Sequence, residues 1–202
     1  MPRSPALTAV LRHVPWLLVG YRALAGVVMA AFLCAGLLSD AVVLALMVSA
    51  VLSDYYDGRI ARALGVATPA LRTADSTADT LFHLALAWAT WVLHGDVVRA
   101  HLTVLAFALG SLAAWYVLDL LRWRRLAGFH AWSAKLLGLC LLVWVVLLYG
   151  RGDAGWWTTA TLVLATASHV EGMAISLILR RHVSDVPTVV HALRLRAAQG
   201  TA

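Results

Sequence analysis

Long apolar runs alternate with short polar breaks along this chain. A bilayer core takes about 20 helical residues, and six stretches approach that length: Trp16–Leu38, Ala41–Leu64, Ser76–Leu93, Leu102–Leu121, Ser133–Tyr149 and Trp156–Leu179. The breaks hold Ser39-Asp40, Gly65 to Pro69, His94-Gly95-Asp96, Arg122 to His130 and Gly150 to Asp153, the polar and turn-forming residues that connections between helices require. The pattern predicts an all-α polytopic membrane protein with six transmembrane helices in a single domain over residues 1–202. Residues 1–15 read as an N-terminal interfacial segment and residues 184–202 as an amphipathic tail. In that tail Val186, Val189, Val190 and Leu193 recur at helical spacing after a Ser184-Asp185 cap, with Pro187 in the first turn and Arg194 and Arg196 free to snorkel.

Composition agrees with that reading. Of 202 residues 62% are hydrophobic and 13% charged, a balance that excludes an ordinary soluble domain. Six spans put both termini on one side of the membrane. The lysines and arginines fall on that side, in the termini and in the second-to-third and fourth-to-fifth connections, with Arg99 and Arg151 opposite. By the positive-inside rule the termini face the cytoplasm, across the cell (inner) membrane. The net charge of +6 then reflects topology, and no nucleic-acid partner is expected. The opening MPRSPALTAVLRHVPW lacks the pattern of a cleaved leader and is expected to stay on the chain. Cys34 and Cys140 lie in apolar runs and are expected to be small buried side chains rather than a disulfide or metal pair. Paired tryptophans such as Trp156-Trp157 suit an interfacial belt.

One stretch breaks the apolar pattern: SDYYDGRIARALGVATPALRTADSTADT, residues 53–80. At about 100° per residue, Asp54, Asp57, Gly58 and Ala61 share one arc of the second helix, with Arg62 at its edge, and Asp75 and Asp79 share a face of the third. The short connection predicts an antiparallel hairpin of these two helices, which would bring the four carboxylates together. Charges at membrane depth are costly, and four like charges in a small volume must take up protons or bind cations. Hard oxygen ligands suit Mg²⁺, Mn²⁺ or Ca²⁺, with room for two ions. The plainer alternative places the aspartates in headgroup-level loops, paired with Arg59, Arg62 and Arg72. It does not explain the smallness of Gly58 and Ala61 on the same face, which would let a phosphate-bearing ligand approach the backbone.

These residues resemble the signature of the CDP-alcohol phosphotransferase (CDP-alcohol phosphatidyltransferase) family: Asp-x2-Asp-Gly-x2-Ala-Arg, eight residues, then Gly-x3-Asp-x3-Asp. Here it is carried by Asp54, Asp57, Gly58, Ala61, Arg62, Asp75 and Asp79, with Leu71 in place of the second glycine. Arg22 early in the first span and Ser133-x-Lys135 opening the fifth are also similar to the family. The resemblance implies a membrane enzyme that moves a substituted phosphoryl group from a CDP-linked lipid such as CDP-diacylglycerol, or another CDP-alcohol, to an alcohol acceptor and releases CMP. It implies that Asp54, Asp57, Asp75 and Asp79 hold Mg²⁺ or Mn²⁺, as two ions, and that Asp79 is also the catalytic base, through close placement against the acceptor hydroxyl. Nucleotide binding would fall to Asp54, Gly58, Ala61 and Arg62, and a homodimer is expected.

Other residues point less specifically. Lys135, Arg124 and Arg125, with Arg122, could bind a phosphorylated acceptor or simply touch lipid headgroups. His83, one turn beyond Asp79, could line the cavity or be a hydrogen-bonded interior histidine, and Asp119 is expected to pair with Arg122 or Arg62. Two other functions compete: a divalent-cation transporter using the same acids, which would be expected to place polar groups along a path and to carry an internal repeat, and a catalytically silent relative that binds a nucleotide lipid. The sequence shows no repeat, and its acids gather at one end of the second and third helices.

Overall fold

The computed structural model describes residues 11–124, 131–181, 183 and 186–198, without the side chains of residues 69, 72, 73 and 76. Among these residues all regular structure is helical: α1 (Val14–Cys34), α2 (Asp40–Ala63), α3 (Pro69–Leu93), a short α4 (Gly95–Ala100), α5 (Leu102–Trp123), α6 (Trp132–Arg151), α7 (Trp156–Ile178) and α8 (Val189–Ala198). Five of them, α1, α2, α5, α6 and α7, are long and apolar enough to cross a membrane, so this is a multi-pass membrane protein. The sixth expected span is helical too. At 25 residues α3 is long enough to cross, though Asp75, Asp79 and His83 interrupt its apolar character.

The chain divides into two compact units, Met1–Gly95 and Asp96–Ala202. In the first, α2 and α3 both pack chiefly against α1 and barely touch one another. This corrects the expected α2–α3 hairpin. Their facing sides carry the carboxylates, which repel, and α1 lies between them instead. Close packing of α1 on α3 depends on Gly26, where a Cβ would stand 3.0 Å from Phe82 Cα and 3.3 Å from the Leu81 carbonyl oxygen.

Helix ends in this unit follow local chemistry. Pro15 occupies the first turn of α1, where its missing N–H costs nothing. Gly65 takes φ of 66° and closes α2, with the Val66 N–H donating to the Ala61 carbonyl at 2.9 Å, a left-handed ending that favours glycine. Thr68 then caps α3, its hydroxyl accepting from the Leu71 N–H at 3.2 Å, with Pro69 at the first helical position. The helix therefore starts seven residues before the predicted Ser76.

In the second unit α7 is central, packing against α5, α6 and α8. Buried Ala131, Ile175, Leu179, Val186 and Ala192 form its core at the α7–α8 end. The tail helix begins at Val189 rather than around Val186, and Thr188 is its cap, accepting from the His191 N–H at 3.3 Å. Pro187 stays outside the helix, its carbonyl accepting from the Trp132 N–H at 3.1 Å. The Ser184-Asp185 cap lies outside the described residues. Val186 is buried, while Val190 and Leu193 remain exposed. Both cysteines are free thiols, and Cys34, expected inside, is exposed on the last turn of α1.

Candidate active site

Asp54 and Asp57 stand one turn apart on α2, and Asp75 and Asp79 one turn apart on α3, all within the halves of those helices nearest the Gly65 turn. Between them, from α1, comes Arg22, 2% exposed and the largest fully buried side chain among the described residues. Its Nη1 donates to Asp75 Oδ1 at 2.7 Å and to Asp79 Oδ1 and lies 3.2 Å from Asp54 Oδ1, while Nη2 donates to Asp57 Oδ2. Its Nε reaches the Ser53 hydroxyl at 3.4 Å, and that hydroxyl donates to the Ala50 carbonyl. The four carboxylates do converge, but around an arginine from a third helix. Asp57 is buried, Asp75 and Asp79 are partly covered, and Asp54 is the most exposed.

The group suits divalent cations. Asp54, Asp57 and Asp75 each offer an oxygen, and these three atoms lie within 4.8 Å of one another, hard donors of the kind Mg²⁺, Mn²⁺ and Ca²⁺ prefer. Among the described side chains Arg22 is the cation within ion-pair distance of these acids, so the cluster keeps a net negative charge. Arg59 and Arg62 do not pair with the acids as the headgroup-loop alternative required. Arg59 donates to the Tyr55 hydroxyl at 2.5 Å and stacks over that ring, and the Arg62 guanidinium folds back over Gly58, 3.2 Å from where a Cβ would be. The side chain of Arg72 lies outside the described set.

Gly58 is therefore small where Arg62 crosses it. Ala61 is small for another reason: it is 3% exposed and packs with Val19, Leu71 and Ala78. Leu71, the break in the signature, is buried in that same cluster, joining all three helices of the unit. His83 is exposed, and its Nδ1 lies 2.7 Å from the Asp79 carbonyl oxygen, one turn back in its own helix.

The other predicted positions belong to the second unit. Arg124 closes α5 in a left-handed conformation, φ 53°, and is exposed. Lys135 sits in the first turn of α6 with Nζ 4.6 Å from the centre of the Trp132 ring. Arg125 lies outside the described residues. Asp119 was expected to pair with Arg122 or Arg62, but Arg122 instead donates to the Leu177 and Leu179 carbonyls at 3.4 and 2.8 Å, a cation closing the C-terminus of α7. Asp119, 1% exposed, accepts from the Ser176 hydroxyl at 2.7 Å.

Sequence reasoning missed the place of Arg22. The available signal was an arginine in the third turn of an apolar span with no acid of its own helix nearby, a placement too costly in a bilayer without partners from elsewhere. The sequence model of the CDP-alcohol phosphatidyltransferase family matches residues 12–167, from just before α1 into α7. No curated protein and no solved structure matches the chain.

Proposed function

Because the chain belongs to the CDP-alcohol phosphatidyltransferase family, we propose that it transfers a phosphatidyl group from CDP-diacylglycerol, or a related CDP-linked lipid, to the hydroxyl of an alcohol, releasing CMP. The observation that carries this reading is the convergence of Asp54, Asp57, Asp75 and Asp79, the acids of the signature, within reach of one point. Asp54, Asp57, Asp75 and in part Asp79 would hold the metal, Mg²⁺ or Mn²⁺, most simply as two ions. When bound, such ions supply positive charge to the pyrophosphate oxygens and hold the reacting groups in line.

The protein's own groups supply the rest. Asp79 takes the proton of the acceptor hydroxyl at a carboxylate oxygen as that hydroxyl attacks the phosphorus next to the lipid, and the bond to the CMP phosphate breaks. Asp54, Gly58, Ala61 and Arg62 form the nucleotide side. The Arg62 guanidinium, already lying across the Gly58 backbone, donates to a phosphate there, and Ala61 shapes the floor from beneath through its packing with Leu71. Lys135, Arg124 and Arg125 receive an anionic acceptor, Lys135 from the N-terminal turn of α6, where an anion is also favoured by the helix dipole. The whole chain works as one domain, with active site and termini at the cytoplasmic face of the cell membrane. The lipid tail stays in the bilayer while nucleotide and acceptor meet the site from water. A homodimer packed through membrane helices is part of this reading, and crosslinking in mild detergent that yields only monomer would remove that part.

Purified protein in detergent, given CDP-diacylglycerol, Mg²⁺ or Mn²⁺ and a panel of alcohols that includes glycerol phosphate, inositol phosphate and serine, is expected to release CMP with at least one of them. Binding of the nucleotide lipid without CMP release from any acceptor would mark a silent relative. Metal-driven cation flux in vesicles without CMP release would mark a transporter.

A further inference from the structure

Arg22 reaches all four carboxylates with very few donors. A guanidinium Nη carries two N–H bonds, and the two on Nη1 go to Asp75 and Asp79. Asp54, 3.2 Å from the same nitrogen, is held there by charge without a hydrogen bond. Nη1 thus stands among carboxylates from α2 and α3, and a divalent ion held by Asp54, Asp57 and Asp75 would compete with Arg22 for the same side chains.

We infer that Arg22 is a resident counter-ion that exchanges with metal. In the metal-free protein it keeps four mutually repelling carboxylates assembled, and on metal binding it yields the Nη1 contacts. The inference rests on the proposed metal site and adds a role for a residue outside the signature. Two physical features support it. One delocalised positive charge leaves the cluster net negative, so a more concentrated charge is still attracted to it. The guanidinium also keeps a hold that does not involve the acids, since Nε donates to the Ser53 hydroxyl, which is itself anchored on the Ala50 carbonyl, so giving up the Nη1 contacts does not leave it without a partner. Asp54, exposed and without a hydrogen bond from Arg22, is the first ligand open to an arriving ion. The exchange has two consequences: Arg22 weakens metal affinity, and it makes the metal-free fold viable.

The test compares Mn²⁺ binding, followed by the paramagnetic resonance of free Mn²⁺, with thermal unfolding in chelator and in saturating Mn²⁺, for wild type, Arg22→Gln and Arg22→Lys in detergent. Arg22→Gln removes the competing charge and should bind Mn²⁺ about tenfold more tightly or better, unfold at a lower temperature in chelator, and gain more from Mn²⁺ than wild type does. Arg22→Lys, whose compact ammonium cannot span four carboxylates, should fall between. Mn²⁺ affinity in Arg22→Gln equal to or weaker than wild type overturns the inference. If that variant cannot be isolated without metal, Arg22→Lys decides: tighter binding than wild type supports the exchange, and equal or weaker binding overturns it. Wild-type CMP release with unaltered Mn²⁺ binding in the variants removes this inference alone. Wild type that neither binds Mn²⁺ nor releases CMP removes the proposed function as well.

Discussion

In the first unit one buried cation draws four carboxylates to a single point, whereas in the second the buried polar groups are mostly neutral and spread in pairs along α7. Away from that cluster the first unit also buries Thr90, bonded to the Leu86 carbonyl, and His94, beside Asp40, toward the far end of its helices. Arg22 gathers Asp54, Asp57, Asp75 and Asp79 from two other helices. Along α7 the pairs are Trp144 with Thr158 at 3.0 Å, Ser133 with Ser168 at 3.2 Å, Ser111 with His169 at 3.0 Å, and Trp123 with Ser176 at 2.8 Å. Buried Asp119 joins the last of these through Ser176. Neutral hydrogen bonds between membrane helices contribute about 0.6 kcal/mol on average, enough to orient helices and cheap to bury. Charges cost far more to bury. A cluster of five is poor structural glue, which agrees with the chemistry proposed for the first unit.

The largest effect should come from the charged cluster itself. Asp57→Asn keeps the volume and removes one negative charge from the most buried of the four acids. CMP release should fall by about two orders of magnitude or more, the scale of losing one charge-stabilising group at a reacting phosphoryl. Excess Mn²⁺ should restore only part of it. Wild-type release at limiting metal would show that Asp57 serves Arg22 and not the reaction.

Next in size are two glycines, one in each unit. At Gly26 an added Cβ meets the Phe82 backbone at 3.0 Å, and backbone on backbone can relax only by parting α1 from α3. Arg22 is one turn away on α1, so Gly26→Ala should cost about 1–3 kcal/mol of stability and also lower CMP release per folded molecule about tenfold, since small misplacements at a reacting centre are amplified. At Gly172 the added Cβ would lie 2.6 Å from the Trp115 ring, and that ring must swing aside. Gly172→Ala should cost a similar ~1–3 kcal/mol and leave release per folded molecule near wild type. Thermal unfolding beside CMP assays on the folded fraction reads both. Equal losses of activity would show that the two units do not divide the work in this way.

How much of this could be read from the chain depends on how local the cause is. Helix bounds were legible to within a few residues because apolar length and capping residues act locally. The exception, α3, begins at Pro69, because Thr68 and Pro69 start a helix although the apolar run begins later. Convergence of the acids was legible from helical spacing, and Gly58 under Arg62 is a spacing of four on one helix. What joins the acids was not, since Arg22 lies between 31 and 57 residues from the side chains it hydrogen-bonds and no local pattern pairs them. The role of Leu71 was hidden for the same reason. Its partners Val19 and Ala61 belong to other helices, and only their packing shows that the missing glycine has become part of the core beneath Ala61.

The smallest effect tests the neutral side of the comparison. Thr158→Val is nearly isosteric, and it removes the acceptor of the Trp144 indole N–H in a pair that is 4% exposed on the threonine side. Two magnitudes compete. A buried donor left without a partner costs about 1–3 kcal/mol, whereas hydrogen bonds between membrane helices average about 0.6 kcal/mol. The smaller value should hold, because Trp144 is only half-buried and sits on the last two turns of α6, where an indole can turn toward the interface. A double-mutant cycle of Thr158→Val with Trp144→Phe, read by unfolding in detergent, should therefore return a coupling near 0.6 kcal/mol with CMP release unchanged. A coupling of about 2 kcal/mol or more would mean that this pair locks α6 to α7, and that the second unit, too, holds a polar contact it cannot lose.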